Sequence, residues 1–247
     1  MLHVAGRTAV LLLVMLSAGA CRGGALLRQY EYEEETFLAL DGTATVYVNA
    51  SVPALVALRG IDLDVNPRAR LDRGRVRTFY AAPGTHVVRV STSRRHSRRF
   101  VHLRIEVDNV RRLSAAGPFA WSRYAFERRE NLFVFRQTVG AASGKSVGDV
   151  GWNGEELVAF RLHLPSKIEY HNTLPGNLRR GNILVWEQRL TDRLAGAPVD
   201  MEARMETESI LYRTLWLFAV TGLVVAAAFL IVIWGIVRKG REPGSRA

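Results

Sequence analysis

The chain has 247 residues, with 34 Lys or Arg against 23 Asp or Glu, which gives a formal net charge of +11. Its one cysteine excludes an internal disulfide, so a folded domain in this chain must be held together by an apolar core. After terminal segments are set aside, enough residues remain for one domain with such a core.

The N-terminal residues have the pattern of a secretory signal. An apolar stretch at 10–16 follows Arg7 and precedes small residues, and it is too short to span a membrane. We predict a signal peptide over 1–20. Cys21 comes directly after it, in a stretch similar to a bacterial lipobox, which makes Cys21 a candidate for lipidation. The alternative is a cysteine that has no such role.

Two strands and a tight turn are predicted next. Residues 28–40 are rich in aromatic side chains and alternate in part, and residues 43–50 return as the partner strand. The dipeptide Asp41-Gly42 between them is a strong hairpin turn signal. The three consecutive glutamates at 33–35 are expected on a wet face or at a sheet edge.

Short helices and an arginine-rich strand pair follow. Helices are predicted at 53–58 and 68–79, and alternation predicts strands at 85–91 and 100–107. The charged segment 94–99 forms the tip between these strands. Four arginines of the tip are predicted to bind anionic lipid headgroups: Arg94, Arg95, Arg98 and Arg99. The alternative is a solvated turn.

A second predicted hairpin is rich in aromatic residues. It pairs residues 119–127 with residues 132–139. Rings from this hairpin and from one later strand are predicted to line a lipid-like cavity: Trp121, Phe126, Phe133, Phe135 and Trp186. The alternative is that they fill the core. The histidines lack the close spacing of metal ligands, so no metal site is predicted.

The rest of the domain is predicted to be a Gly/Ser-rich loop followed by further strands. The predicted segments are the loop 141–154, strands 157–164, 168–171, 183–188 and 199–205, and one helical turn at 191–194. Together they predict an α+β domain, β-rich and antiparallel with a few short helices, over residues 25–208. Neither a dinucleotide fingerprint nor a Gly-x-Ser-x-Gly motif is present, so we expect no catalysis and no cofactor.

The C-terminal region contains a predicted membrane helix. Residues 215–237 form an unbroken apolar run that is long enough for a bilayer core, and we place the helix at 213–238. Trp216 and Trp234 lie near its ends, where indoles favour the headgroup level. The tail 239–247 is short and basic, which predicts a cytoplasmic tail and an extracytoplasmic domain. A nucleic-acid partner is therefore not expected.

Several segments and both ends of the chain carry a family resemblance. The segments are NLFVFRQ at 131–137, FRLHLPSKI at 160–168, Asn172, and RGNILVW at 180–186. With a signal that ends at Cys21 and a terminal membrane span, this order resembles the LppM-domain lipoproteins of bacteria. The resemblance implies a membrane-anchored envelope protein whose β-rich α+β domain is similar to lipid-handling domains. It brings no catalytic residues.

The leading hypothesis is a single-pass membrane-anchored envelope protein whose exported domain binds a lipid, a glycolipid or an anionic headgroup. The basic excess is concentrated at 59–112, which favours an anionic partner. The alternative is an interaction subunit of a membrane protein complex, with helix contacts around Gly222 and Ala226. A eukaryotic surface protein is disfavoured by the single cysteine.

Overall fold

The computed structural model describes residues 30–240, except for 96, 176, 180 and 181. The predicted signal peptide, Cys21 and residues 241–247 of the predicted tail lie outside the described residues. Cleavage, lipidation and the boundaries of the exported domain therefore stay predictions.

The described residues form two β-sheets, and the larger sheet has seven strands. They are β1 (Tyr30–Leu38), β2 (Ala44–Ser51), β3 (Thr85–Arg95), β4 (Arg98–Val107), β7 (Leu157–His163), β9 (Leu178–Arg179) and β10 (Ile183–Arg189). Their order across the sheet is β3-β4-β2-β1-β7-β10-β9. The pairs β1–β2, β2–β4, β3–β4, β7–β10 and β9–β10 are antiparallel. The chain between β1 and β2 turns at Asp41-Gly42, as predicted.

The smaller sheet has four antiparallel strands. They are β5 (Ser122–Arg129), β6 (Leu132–Val139), β8 (Ser166–His171) and β11 (Val199–Ser209), in the order β5-β6-β11-β8. The strand predicted at 119–127 begins later, because Gly117–Phe119 form a short 3-10 helix with a proline in it. A second 3-10 segment, Val110–Ala115, precedes it.

Four α-helices complete the described part of the chain. They are α1 (Val52–Arg59), α2 (Arg73–Tyr80), α3 (Leu190–Leu194) and α4 (Ile210–Gly240). Helix α1 begins where the Ser51 hydroxyl accepts a hydrogen bond from the Ala54 amide, and it ends at Gly60, which has a left-handed φ of 70°. With two β-sheets and a few short helices, the predicted α+β class is confirmed.

Helix α2 is shorter than the sequence predicted. The prediction placed a helix over 68–79, but the Asp72 carboxylate accepts from the Arg75 amide at 3.0 Å and caps a helix that begins at Arg73. Before it, the Asn66 side chain accepts from the Arg68 amide at 2.9 Å, which holds a turn. Asp and Asn side chains compete with the helix for backbone amides, and here they fix its start.

The core lies between the two sheets and around α1. Alternate residues of β2 and β4 face it, including Val46, Val48, Leu103 and Ile105, and every residue of α1 is buried. The same alternation turns Glu34 of β1 inward, where it is 2% exposed, while Glu33 and Glu35 lie on the opposite face. The expectation that all three glutamates are on a wet face was therefore wrong for Glu34.

The loop predicted at 141–154 has no helix or strand, and it lies against α1. The Ser143 and Lys145 amides donate hydrogen bonds to the carbonyls of Leu58 and Val56, both at 3.1 Å. Gly144 lies between them, and a Cβ atom built on it would be 2.0 Å from the Ala57 carbonyl oxygen. Only glycine allows this close approach of two backbones.

Replacing Gly144 with alanine is therefore expected to destabilise the domain. The added methyl group meets backbone rather than a flexible side chain, so the loop must lift from α1, at a cost of about 1–3 kcal/mol in the free energy of unfolding. Thermal and urea unfolding of the purified protein measure the loss. Gly117→Ala is the control, because its Cβ would meet no atom within 4 Å; equal losses for the two variants would contradict the packing argument.

Helix α4 is long and apolar enough to cross a membrane. Within Ile210–Arg238 the most apolar 18-residue window has a mean hydropathy of 2.7, and none of this window is buried in the described structure. It follows β11 directly: Ser209 ends the strand, and the Ile210 amide donates to the Pro165 carbonyl at 3.0 Å. Thus α4 starts at the end of the smaller sheet where β7 passes into β8.

Candidate functional site

A basic groove lies between the segment before α2 and the tip of the β3–β4 hairpin. We call it the arginine groove. Its volume is about 860 Å³, and it is lined by Ala69, Arg70, Leu71, Asp72, Arg73, Thr92, Ser93, Arg94 and Arg99. Four of these residues are arginines, and one is acidic. The groove is therefore a strongly positive surface that suits an anionic ligand.

Arg99 forms the floor of the groove. It is 5% exposed, and it donates to the backbone carbonyls of Ala69, at 2.9 Å, and Asp64. Its Nε atom is buried and has no hydrogen-bond partner among the described residues. Burial is the main cause that lowers the pKa of Arg99, and nearby Arg94 lowers it further while Asp64 opposes the shift. A buried guanidinium remains charged, so an anion in contact with it gains from the low local dielectric.

The other groove arginines are exposed and come from two elements. Arg73, at the first turn of α2, donates from Nη2 to the Thr92 hydroxyl at 3.4 Å, which connects the helix to β3. The acidic residue of the groove, Asp72, is occupied as the cap of α2. Arg70 and Arg94 are exposed on opposite walls.

The four arginines predicted to bind headgroups are not brought together as one cluster. Arg94 and Arg99 line the groove. Arg98 instead forms ion pairs with the buried carboxylate of Glu31, at 2.5 Å, and with Glu156, at 3.6 Å. The guanidinium of Arg95 lies 5.9 Å from the centre of the Phe100 ring. Strand pairing explains the division, because β3 and β4 extend to Arg95 and Arg98, and alternate residues then face opposite sides.

The groove lies at the end of the larger sheet opposite to α4. The start of β4, next to the groove, is near the start of β7, since Arg98 pairs with Glu156 just before that strand. Strand β7 then runs away from the groove to His163, close to Pro165 and the first residue of α4. From Leu157 to His163 this run is roughly 20 Å, at about 3.3 Å per residue.

The aromatic residues predicted to line a cavity are packed into the core. Trp121, Phe126, Phe135 and Trp186 are all less than 10% exposed, and Phe126 stacks on Phe133 with ring centroids 5.1 Å apart. The Trp186 indole donates to the Asn172 side chain at 3.0 Å. These contacts match the alternative interpretation, in which the rings fill the interior.

A buried polar network crosses from β1 to the smaller sheet. One oxygen of Glu34 accepts from the Tyr32 hydroxyl at 3.0 Å, and the other accepts from Tyr124 and Gln137, both at 3.2 Å. Burial raises the pKa of Glu34, and the charge of buried Arg59 opposes the shift. Arg59 in turn lies 3.9 Å from the centre of the Trp121 ring.

Nearby phenols of the network are held in their neutral form. Burial raises the pKa of Tyr80 to about 12, and it also raises the pKa of Tyr32 and Tyr124. Neutral hydroxyls can donate to the Glu34 carboxylate, as Tyr32 and Tyr124 do. The network connects the two sheets through the hydrogen bonds of Glu34, whereas the Tyr80 hydroxyl and the Nε and Nη1 atoms of Arg59 are buried without a hydrogen-bond partner among the described residues.

Two of the groove arginines, Arg94 and Arg99, were predicted from the sequence to lie at the tip of a hairpin. Their combination with Arg70 and Arg73 was not predicted. The excess of basic residues over 59–112 was the available signal. It could not show that the segment before α2 lies against the β3–β4 hairpin, because the contacts of Arg73 with Thr92 and of Arg99 with Ala69 join residues that are far apart in the sequence.

Comparison with known proteins adds a distant likeness in fold. No protein-family model and no curated protein matches the chain. The chain is similar to the NMR structure of the folded domain of LppM from Mycobacterium tuberculosis, with 11% sequence identity, a TM-score of 0.41, and coverage of 75% of this chain and 95% of that domain. Membership in the LppM-domain family stays a prediction, and the chain is distantly similar in fold to one LppM domain.

Proposed function

We propose that this chain is a single-pass membrane-anchored envelope protein whose exported domain binds a phosphate-bearing lipid or glycolipid in the arginine groove. The observation that carries the proposal is the buried Arg99, with an unpartnered Nε, on the floor of a groove that three further arginines line. The apolar length of α4 supports the anchor.

Phosphate is the anion that this set of side chains favours. A guanidinium presents a planar fork of donors that matches two phosphate oxygens, and bonds between charged partners are stronger than neutral ones. Arg70 and Arg73 approach from the α2 side, and Arg94 approaches from β3. A phosphate-bearing ligand offsets positive charge on both walls, whereas a neutral lipid would leave the arginine charges uncompensated.

The position of the groove defines how the ligand must be presented. The groove is at the far end of the sheet from α4, roughly 20 Å along β7. A headgroup that stays in the plane of the anchoring bilayer does not reach that end of an upright domain. We therefore propose a ligand that is lifted out of that bilayer or presented by a facing layer.

The orientation follows from the charges that flank α4. Arg238 follows the apolar run on one side, and the predicted tail adds further basic residues. On the other side, Arg213 is paired with Glu206 at 3.0 Å and lies near Glu208 at 3.8 Å. This asymmetry favours a cytoplasmic tail and an exported domain.

The test replaces two exposed groove arginines in the full-length protein. Arg70→Gln with Arg73→Gln removes two charges next to an anionic ligand, at about 1 kcal/mol each, so binding should weaken roughly 30-fold at low salt. The protein is held in nanodiscs of phosphatidylcholine, and binding is measured to added vesicles that contain phosphatidylglycerol and to soluble glycerol phosphate. Binding to the vesicles alone indicates a membrane-presented ligand, and binding to both indicates that the phosphate group suffices.

The matched control is Arg128→Gln with Arg129→Gln, on the β5–β6 turn. These arginines are as exposed as the groove pair, but they lie at the other end of the molecule, near α4. The control should change binding less than twofold. Equal losses in both double variants would show a general charge effect, and no loss in the groove variant would refute the proposed site.

A further inference from the structure

A chain of hydrogen bonds crosses the outer face of the larger sheet. The Ser93 hydroxyl lies 2.8 Å from His102 Nε2, and His102 Nδ1 lies 2.9 Å from Asn49 Oδ1. Asn49 donates from Nδ2 to Glu33 at 3.2 Å. The other oxygen of Glu33 lies 2.7 Å from Arg161 Nε. The residues come from five neighbouring strands: β3, β4, β2, β1 and β7.

The direction of every hydrogen bond in this chain is determined by Glu33. A carboxylate beside an arginine accepts hydrogen bonds and donates none, so Asn49 must turn its amide nitrogen to Glu33 and its oxygen to His102. His102 must then carry its proton on Nδ1, which leaves Nε2 as an acceptor. The acceptor faces Ser93, so the Ser93 hydroxyl donates its proton to a neutral imidazole.

The surroundings of His102 favour this neutral imidazole. Burial lowers the pKa of His102, Arg95 on β3 lowers it further, and Glu33 on β1 opposes the shift. Ser93 itself is exposed to solvent, whereas His102 and Asn49 are half-buried behind it. A serine with an oriented neutral base behind it has the arrangement of an activated nucleophile.

Ser93 also lines the arginine groove. The side chain of Arg94 lies on the opposite face of β3, but Arg95 lies on the same face as Ser93 and its charge acts on His102, so a cationic donor is close to any acyl group that reaches the serine. Negative charge develops on a carbonyl oxygen during acyl transfer, and cationic donors stabilise it.

We propose that Ser93 and His102 form a hydrolytic site for carboxylic esters whose substrate carries a phosphate group. Ser93 Oγ attacks the ester carbonyl carbon as its proton passes to His102 Nε2, and the alcohol leaves with that proton. Water then attacks the acyl-serine, again through His102, and releases the carboxylic acid. Asn49 is a positioning residue that fixes the imidazole. The choice of a phosphate-bearing substrate rests on the proposed function; the nucleophile does not.

The test uses the full-length protein in a non-ionic detergent with a fluorophosphonate probe. The wild-type protein should be labelled, with the adduct found on Ser93 by mass spectrometry, and Ser93→Ala should reduce labelling at least tenfold. His102→Asn should also reduce labelling, because the base is lost. Asn49→Ala should lower kcat for p-nitrophenyl acetate while KM stays within twofold, a split that a general loss of structure would not produce.

Ser91→Ala is the matched control. Ser91 lies on the same strand and face, directly opposite His102 in the register, yet it makes no hydrogen bond to His102 among the described residues. Its labelling should stay within twofold of the wild type. A wild-type protein that is unlabelled, or labelled as strongly as Ser93→Ala, overturns the proposal. The uncharged probe does not need the groove arginines, so the double variant Arg70→Gln with Arg73→Gln should be labelled like the wild type even where it no longer binds phosphate. Labelling of this variant therefore separates a failure of the Ser93 site from a failure of phosphate binding.

Discussion

Replacing Glu34 with alanine is expected to lower the free energy of unfolding by about 3–5 kcal/mol, because it removes one partner of a buried charged network. Three donors lose their acceptor: the hydroxyls of Tyr32 and Tyr124 and the amide of Gln137. Arg59 also loses the carboxylate that offsets its buried charge. Urea unfolding of the purified protein, followed by tryptophan fluorescence, measures the loss.

Glu35→Ala is the control for this prediction. Glu35 is the next residue on the same strand, but it faces outward, and its ion pair with His163 is partly exposed. A pair of this kind contributes about 1 kcal/mol or less. A similar loss for Glu34→Ala and Glu35→Ala would show that the buried network contributes no more to the free energy of unfolding than an exposed ion pair.

The pH dependence of stability should change with the same residue. Because burial raises the pKa of Glu34 above its ordinary 4.5, the folded state holds this proton more tightly than the unfolded state. The resulting stabilisation is fully present below pH 4.5 and is lost as pH rises through the folded-state pKa. Glu34→Gln cannot titrate, so the difference in unfolding free energy between wild type and variant should grow in favour of the variant over that range. A difference in unfolding free energy that stays constant over this pH range would contradict the raised pKa of Glu34.

Two arginines in the middle of α4 are expected to remove the protein from membranes. Val224→Arg with Ala227→Arg places two charges near the centre of the apolar run, and each costs about 2.5–3.5 kcal/mol at that depth. The protein should therefore become extractable by alkaline carbonate. Cell fractionation with immunodetection of the full-length chain gives the extracted share.

The matched control moves the same pair to the start of the helix. Leu211→Arg with Thr214→Arg keeps the spacing and the added charge, but both positions lie in the first turns of α4, next to the domain. Long basic side chains near a helix end reach the interface, so this variant should stay in the carbonate-resistant fraction. When Cys21→Ala is present in both variants and removes the candidate lipid anchor, a central variant that also resists carbonate would contradict the spanning role of α4.

Local sequence patterns were sufficient for much of the architecture. The turn at Asp41-Gly42, the alternation in β2 and β4, and the apolar run of α4 each depend on residues close in sequence, and they gave the right elements. The start of α2 was predicted wrongly because a side-chain cap determines it. The Asp72 carboxylate accepts from a backbone amide and begins the helix at Arg73, so residues 68–71, which were predicted to be helical, lie before it.

The candidate sites depend on contacts between distant segments, which a single sequence does not reveal. Ser93, His102 and Asn49 belong to three strands, and they meet only through the register that pairs β3, β4 and β2. A motif search looks for neighbours in sequence, so the absence of Gly-x-Ser-x-Gly carried no information about this arrangement. Strand alternation alone turns Glu34 away from Glu33 and Glu35, but the sequence did not reveal that its partners Tyr124 and Gln137 lie on the other sheet.

The direct passage from β11 into α4 has a mechanical consequence. No flexible linker separates Ser209 from Ile210, and the Ile210 amide is bonded to the Pro165 carbonyl. Torque on α4 therefore passes into β11 and then into β6 and β8 on either side of it. The proposed anchor is thus joined directly to the smaller sheet, without a linker about which the domain could turn freely.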